Sequence, residues 1–344
     1  MDLVCDAVFE GGGVRGIGLV GGVCGMEAAG YTFRYVVGTS AGSIMASLLA
    51  AGYSGAEIKA EMLKLDFTKL QGEDWLTNTG TFGKVLKLLL VNGIYNADYL
   101  EAWLEGLLKR KGKTRFGDIR VPGASDEKFK YRFQAIASDL SNSSMLVLPR
   151  DLSQFGIDPD QFSITKAVRM SISIPVFYEP YILTDIDGRK HVIVDGGMLS
   201  NYPMWLLDDR KPNLDYPTFG FKFCSAASEE SETEDYADVR KLPGLLKSLV
   251  RTSMDAHDKY YISNSMGDFQ RTIPISSKIL RDGKPESVNA VDFAISAADQ
   301  EAIFNNGLQA VKTFLRTWSF ENWKSAFRTG AQKSGRATVT VRSH

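Results

Sequence analysis

Cysteine, histidine, net charge and long apolar runs are all scarce in this sequence, and each scarcity removes a class of function. Three cysteines in 344 residues, Cys5, Cys24 and Cys224, are odd in number, widely spaced and free of any C-x-x-C pattern. That argues against a disulfide framework and for a reducing, cytoplasmic setting. Three histidines, His191, His257 and His344, stand in no ligand-like spacing, so no metal is expected. Forty Lys and Arg against 41 Asp and Glu give a net charge of −1, which lacks the basic footprint that nucleic-acid binding needs. No stretch reaches the roughly 18 apolar residues of a spanning helix. The opening Met-Asp-Leu-Val-Cys-Asp-Ala-Val-Phe-Glu has no basic segment leading into an apolar one, so a secretory signal is not expected.

What remains is an ordinary globular composition, 44% hydrophobic and 24% charged, with ample material for one large core. The N-terminal pattern reads as a strand at about Leu3 to Phe9, a glycine-rich turn, a helix at about Gly16 to Ala29, a second strand at about Phe33 to Val37, and another helix from Ala41. This is an α/β beginning. Between about residues 54 and 113 the apolar spacing turns helical, over Ala56 to Lys64, Lys84 to Val91 and Asp98 to Lys111. Strand-like runs return at Tyr131 to Ala137, Met145 to Leu148, Ile182 to Thr184, His191 to Val194 and Thr218 to Phe223. Ser225 to Asp238 is acidic and without a basic residue, as a solvated loop would be, while the segment after Glu321 is basic and reads as a frayed terminus.

Three short motifs carry the chemistry. Glu10-Gly11-Gly12-Gly13-Val14-Arg15-Gly16 follows the first strand and opens the first helix, so several backbone N–H groups can converge on one anion. The turn also fits G-x-G-x-x-G, but the second strand ends at Ser40 where a dinucleotide site wants a carboxylate for the ribose. Gly38-Thr39-Ser40-Ala41-Gly42 fits the G-x-S-x-G nucleophile elbow, which places a serine on a strained strand-to-helix turn at a helix N-terminus. Beside Ser40, the glycine amides would form an oxyanion hole. Arg15 adds a charge that either meets a phosphate head group or caps surface carboxylates. The histidines are poorly placed to serve as base, whereas Asp195 closes a strand and is followed by Gly196 and Gly197, which let another loop come close. A Ser40–Asp195 dyad is the expectation.

In order, the glycine turn, the G-T-S-A-G elbow and the late D-G-G resemble the signatures of the patatin-like phospholipase family. Gly93-Ile94-Tyr95, Ala135 to Leu140, Ala167 to Pro175 and Asp195 to Pro203 extend the resemblance over roughly residues 4 to 320. It implies a three-layer α/β/α fold with a central, mostly parallel sheet and a helical insert at about 54–113, occupying 1–320 ahead of a basic tail at 321–344. It also implies Ser40 as nucleophile, Asp195 as the side-chain proton acceptor, the amides of Gly11, Gly12 and Gly13 as oxyanion hole, and Arg15, Gly16, Gly38, Gly42, Gly196 and Gly197 as supporting residues. No metal or cofactor is required.

The expected activity is cleavage of lipid acyl esters, of phospholipase A or lysophospholipase type, through an acyl-enzyme. The substrate would be a phospholipid or other lipid ester met in transient contact with a membrane surface, the protein being cytoplasmic or delivered to a target cell. A transacylase would use the same dyad, and a latent toxin or defence effector would await an activator. A dinucleotide-binding enzyme and a non-catalytic lipid-binding scaffold are the readings from other classes. Val85 to Val91 with Ile94 and Tyr95 could form a lid or simply a core helix, and Phe177, Tyr178 and Tyr181 could line an acyl channel or simply pack.

Overall fold

A computed structural model describes residues 3–65, 97–124, 126–175, 177–208, 214–224, 267–290, 292 and 295–329. The elements are β1 (Leu3–Phe9), α1 (Gly16–Ala28), β2 (Tyr31–Thr39), α2 (Ala41–Ala50), α3 (Gly55–Met62), α4 (Ala97–Arg110), β3 (Phe133–Asp139) and β4 (Ser144–Leu148). They continue with α5 (Ile164–Ser171), β5 (Tyr181–Thr184), β6 (Lys190–Asp195), α6 (Met204–Leu207), β7 (Thr218–Cys224), β8 (Thr272–Ser276), β9 (Lys278–Arg281), β10 (Lys284–Ser287), α7 (Ala297–Leu315) and α8 (Phe320–Lys324).

The main sheet runs β5-β6-β3-β2-β1-β7-β8, with β4 also on β3. β1 pairs in parallel with β2 and β7, β2 with β3, and β7 with β8, so the centre is parallel. β4, β5 and β6 join antiparallel. Alternation along β1 divides the core into two layers: Ala7 and Phe9 face the cluster built with α1 to α5 and α7, while Val8 faces a smaller one containing Met204, Leu206 and Leu207 of α6. The expected α/β/α sandwich is present, with one helical layer far thicker than the other.

Local sequence explains these elements. α1 is apolar or glycine at nearly every position and buried on almost all sides, as a central helix must be. α3 starts at a Ser54–Glu57 capping box, and α4 buries Leu100, Leu104, Leu107 and Leu108 as a three- and four-residue stripe. α3 and α4 are therefore the two described helices of the expected insert, whereas Lys84 to Val91, Gly93 to Tyr95, Ser225 to Asp238 and the last 15 residues lie outside the described residues.

The basic tail expected from residue 321 begins as packed structure. α8 and the turn after it place Trp323 against the guanidinium groups of Arg271 (5.1 Å) and Arg328 (4.4 Å), and its indole N–H donates to the Gly267 carbonyl at 2.8 Å. Arg271 is fully buried and pairs with Asp208 (3.1 Å) and Asp268, and Arg328 pairs with Asp208 at 2.6 Å. Sequence alone gives Arg328 as a solvated cation of a frayed terminus. Its partner Asp208 stands 120 residues away in the chain and carries no local signal.

Candidate active site

Parallel strands end on the same side of a sheet, which brings two of the three motifs together. Phe9 at the end of β1 pairs with Gly38 in β2, so the glycine turn and the elbow leave neighbouring strands at one edge. They touch there. A Cβ on Gly42 would lie 2.3 Å from the Phe9 carbonyl oxygen, and one on Gly11 would lie 3.1 Å from the Ser40 Cβ. Gly16 approaches Ala41 in the same way, and Gly38 lies against the Gly42 carbonyl within the elbow. Only glycines allow this spacing.

Asp195 arrives from the other direction. β4 occupies one edge of β3 over Ala135 to Asp139, which leaves β2 and β6 to share the opposite edge. Thr39 pairs with Ile136, and Asp195 pairs with the next residue, Ala137. β2 and β6 thus run toward each other along β3 and stop face to face at Ser40 and Asp195. Gly196 then turns the chain aside, closely enough that a Cβ there would lie 2.1 Å from the Ile136 carbonyl oxygen.

Ser40 has φ 52° and ψ −127°, an unfavourable backbone for a residue with a side chain. Three hydrogen bonds hold it. Its N–H donates to Ser171 Oγ at 3.0 Å, and its carbonyl accepts the Ser43 N–H at 2.8 Å and the Ser43 hydroxyl at 2.6 Å. Ser40 is also the N-cap of α2, whose dipole favours negative charge at its hydroxyl.

Asp195 is fully buried. Its Oδ1 accepts the Gly197 N–H at 2.7 Å, and its own N–H donates to the Ser173 carbonyl at 2.9 Å. Oδ2 has no hydrogen-bond partner among the described residues. Burial pushes the carboxyl pKa up from 3.8 to about 7, with the Ser40 hydroxyl and the Gly197 N–H pulling the other way. The Ser40 hydroxyl is thus near enough to lower the Asp195 pKa, although no hydrogen bond joins the two among the described residues.

The glycine turn is not uniform. Gly11 donates its N–H to the Asn201 carbonyl at 3.1 Å, so that amide is committed to structure. The N–H groups of Gly12 and Gly13 find no acceptor among the described residues, and Gly13 adopts φ 54°, a left-handed conformation that glycine accepts without strain. Glu10 pins the turn to β7 through an ion pair with Lys222 and by accepting the Phe223 N–H at 2.6 Å. Arg15 turns inward, its Nε donating to the Gly12 carbonyl at 3.2 Å and its guanidinium lying 4.9 Å above the Phe223 ring. These contacts brace the turn.

An apolar cavity borders Ser40. Ile44, Met45 and Leu48 of α2, Ile58 and Met62 of α3, Leu100 and Trp103 of α4, and Ile172, Ile174 and Tyr178 form its walls. It follows α2 from Ser40 to Leu48, about 12 Å at the helical rise. Tyr178 therefore lines it as one reading expected, while Phe177 and Tyr181 pack against the core. His191 sits at the far end of β6, hydrogen-bonded to Asp139 at 2.9 Å, and takes no part. His257 and His344 lie outside the described residues.

The family model for patatin-like phospholipase matches residues 7–208, the stretch that carries all three motifs. The chain belongs to the patatin-like phospholipase family. It is 34% identical over 320 residues to the Bacillus subtilis (strain 168) protein YqhO, covering 92% of this chain and 99% of that one. It is 24% identical over 199 residues to the probable lipid hydrolase 463L of Invertebrate iridescent virus 6, covering 57% and 61% of the two chains. Among solved structures, VipD from Legionella pneumophila shares the fold with a TM-score of 0.50 at 17% identity, over 91% of this chain and 67% of that one.

Several residues of the resembling segments have roles around the patatin-like site that the sequence did not assign them. Ser171 and Ser173 hold the backbones of Ser40 and Asp195, and Arg169 braces them through Ser173 Oγ and the Glu179 carbonyl (2.8 Å). Thr39 donates its hydroxyl to the Ser200 carbonyl at 2.9 Å, tying the elbow to the loop after Asp195. Besides lying in the resembling segment Ala167 to Pro175, Arg169, Ser171 and Ser173 carry a signal of polarity, since they interrupt a run otherwise apolar enough to be core.

Proposed function

We propose that this protein is a lipid acyl hydrolase acting through a Ser40–Asp195 dyad and an acyl-enzyme. The observation that carries the reading is the meeting of a strained serine and a buried carboxylate at the edge of an apolar cavity. Asp195 takes the Ser40 proton as Oγ attacks the ester carbonyl. The N–H groups of Gly12 and Gly13 receive the oxyanion. Collapse of the tetrahedral intermediate breaks the ester bond, and the departing alkoxide takes the proton back from Asp195. Water then gives its proton to Asp195 and attacks the acyl-serine, and the second collapse returns the proton to Ser40 and frees the fatty acid. The acyl chain occupies the cavity along α2, whose walls suit an alkyl chain and nothing charged.

No helix among the described residues is long and apolar enough to cross a membrane. The reading is of an enzyme that draws lipid esters from a surface it touches transiently. The test is mass-resolved release of fatty acid and lysolipid from mixed phospholipid vesicles, with wild type beside Ser40→Ala and Asp195→Asn. Release by wild type alone supports the dyad and names the cleaved position. Release that persists in pure Ser40→Ala protein sinks it.

A further inference from the structure

Gly11 and Gly12 share one peptide unit, whose carbonyl belongs to Gly11 and whose N–H belongs to Gly12. The bond is trans, so the two dipoles point in opposite directions. Asn201 grips this unit. Its side-chain Nδ2 donates to the unit's carbonyl, that of Gly11, at 3.4 Å, while its backbone carbonyl accepts the Gly11 N–H of the preceding Glu10–Gly11 unit at 3.1 Å. Drawing that carbonyl toward Asn201 turns the Gly12 N–H the other way. Space confirms how close the groups are: a Cβ on Gly11 would lie 2.2 Å from Asn201 Oδ1 and 3.1 Å from the Ser40 Cβ, so Asn201 and the nucleophile flank the same glycine.

The Asn201 side chain is held in this pose with its Oδ1 buried and without a donor among the described residues. A buried acceptor left unpaired is unfavourable, and such atoms are rare enough that each calls for a reason. Here the other half of the same amide supplies one. Asn201 follows Asp195 by six residues, and the loop between them is fastened to the elbow by the Thr39 hydroxyl on the Ser200 carbonyl. One loop therefore carries both the base and the residue that orients the glycine turn.

We propose that Asn201 is a positioning residue for the oxyanion hole: its side-chain amide sets the Gly11–Gly12 peptide and so aims the Gly12 N–H at the developing oxyanion. The inference rests on the Ser40–Asp195 reading. Because Asn201 acts through Gly12, its loss falls on the transition state and leaves the binding of the ground-state ester untouched.

The test uses the intact protein and an activated ester, p-nitrophenyl octanoate, kept below its solubility limit with a little cosolvent, which removes any need for a membrane. Wild type, Asn201→Leu, Asn201→Asp and Ser40→Ala are compared for kcat, KM, melting temperature and inhibition by an octyl trifluoromethyl ketone, whose serine adduct carries an oxyanion. Removing the donor lowers kcat by about tenfold or more with KM within about twofold, and weakens the ketone by the same factor as kcat/KM. Asn201→Asp is the worse variant, since a carboxylate oxygen then opposes the Gly11 carbonyl. If it fails to fold, Asn201→Leu carries the comparison. An unchanged kcat, or a lost kcat with undiminished ketone affinity, overturns the role of Asn201 alone. Turnover that survives in Ser40→Ala, or a wild type without turnover, overturns the dyad reading and this inference with it.

Discussion

Ser40 and Asp195 close two strands that approach each other head-on along a single edge of β3, in consecutive register at Ile136 and Ala137. The arrangement leaves Asp195 with no exposed surface and, among the described residues, no hydrogen-bond partner for Oδ2. Its elevated pKa follows from that seclusion, which also suits it to the proposed role of base.

If Asp195 is the base, hydrolysis is expected to show an acid limb with a midpoint near pH 7, since burial pushes that carboxyl up to about 7. Below that value kcat/KM falls about tenfold per pH unit, as one essential base protonates. Initial rates on p-nitrophenyl octanoate between pH 5 and 9 check this. A midpoint near 4, where an ordinary carboxyl titrates, would mean that Asp195 is not the base.

The same shift carries a stability consequence of opposite sign. The folded state holds the Asp195 proton more tightly than the unfolded chain does, so this group stabilises fully below 3.8, progressively less up to about 7, and not at all above. The amide introduced by Asp195→Asn does not titrate. The melting temperature of Asp195→Asn relative to wild type should accordingly rise between pH 4 and pH 8, by an amount worth at most about 4 kcal/mol. A difference that stays flat with pH contradicts it.

Gly42→Ala and Gly106→Ala separate site glycines from ordinary ones. A Cβ at 42 meets the Phe9 and Glu10 carbonyl oxygens at 2.3 and 2.8 Å, which drives the glycine turn away from Ser40, while a Cβ at 106, inside α4, meets nothing within 4 Å. Gly42→Ala is expected to cost about 1–3 kcal/mol and most of the activity. Gly106→Ala should gain about 0.5–1 kcal/mol with unchanged rates. Thermal melts and ester hydrolysis on both proteins decide the matter; equal effects would remove the special status of position 42.

Met62 is half-buried in α3 and lines the cavity. Met62→Trp narrows it without touching Ser40 or Asp195. The ratio of kcat/KM for p-nitrophenyl butyrate to that for the octanoate should rise by about tenfold, the scale on which one or two misplaced methylenes act in an apolar pocket. An unchanged ratio would show that the acyl chain lies elsewhere.

How much of this is legible in the sequence differs by element. β1 and α1 stand within a residue of their expected limits, because alternation, a glycine turn and a continuous apolar helix are local signals. β8, β9, β10 and α7 draw no expectation, although α7 packs against α1 in the thick layer. β10 is exposed at every position, and α7 is polar enough on one side to resemble surface, its buried Ile303, Phe304 and Val311 becoming readable only against the core they join. The tail misleads for a related reason: Arg328 resembles a solvated charge until Asp208, 120 residues earlier, is placed beside it.

The sequence by itself determined which groups could do chemistry: a serine on a sharp turn, glycines with unsatisfied amides, and a carboxylate before two more glycines. Those are properties of a few adjacent residues, and backbone sterics enforce them anywhere. Tertiary structure alone decided which groups meet and which remain free. The Gly11 amide is taken by Asn201 from 190 positions away, the Gly12 and Gly13 amides find no acceptor among the described residues, and Asp195 is fully buried where β2 and β6 share an edge of β3. Hydrogen-bond capacity is written in the chain, but its satisfaction depends on neighbours that only the folded sheet supplies.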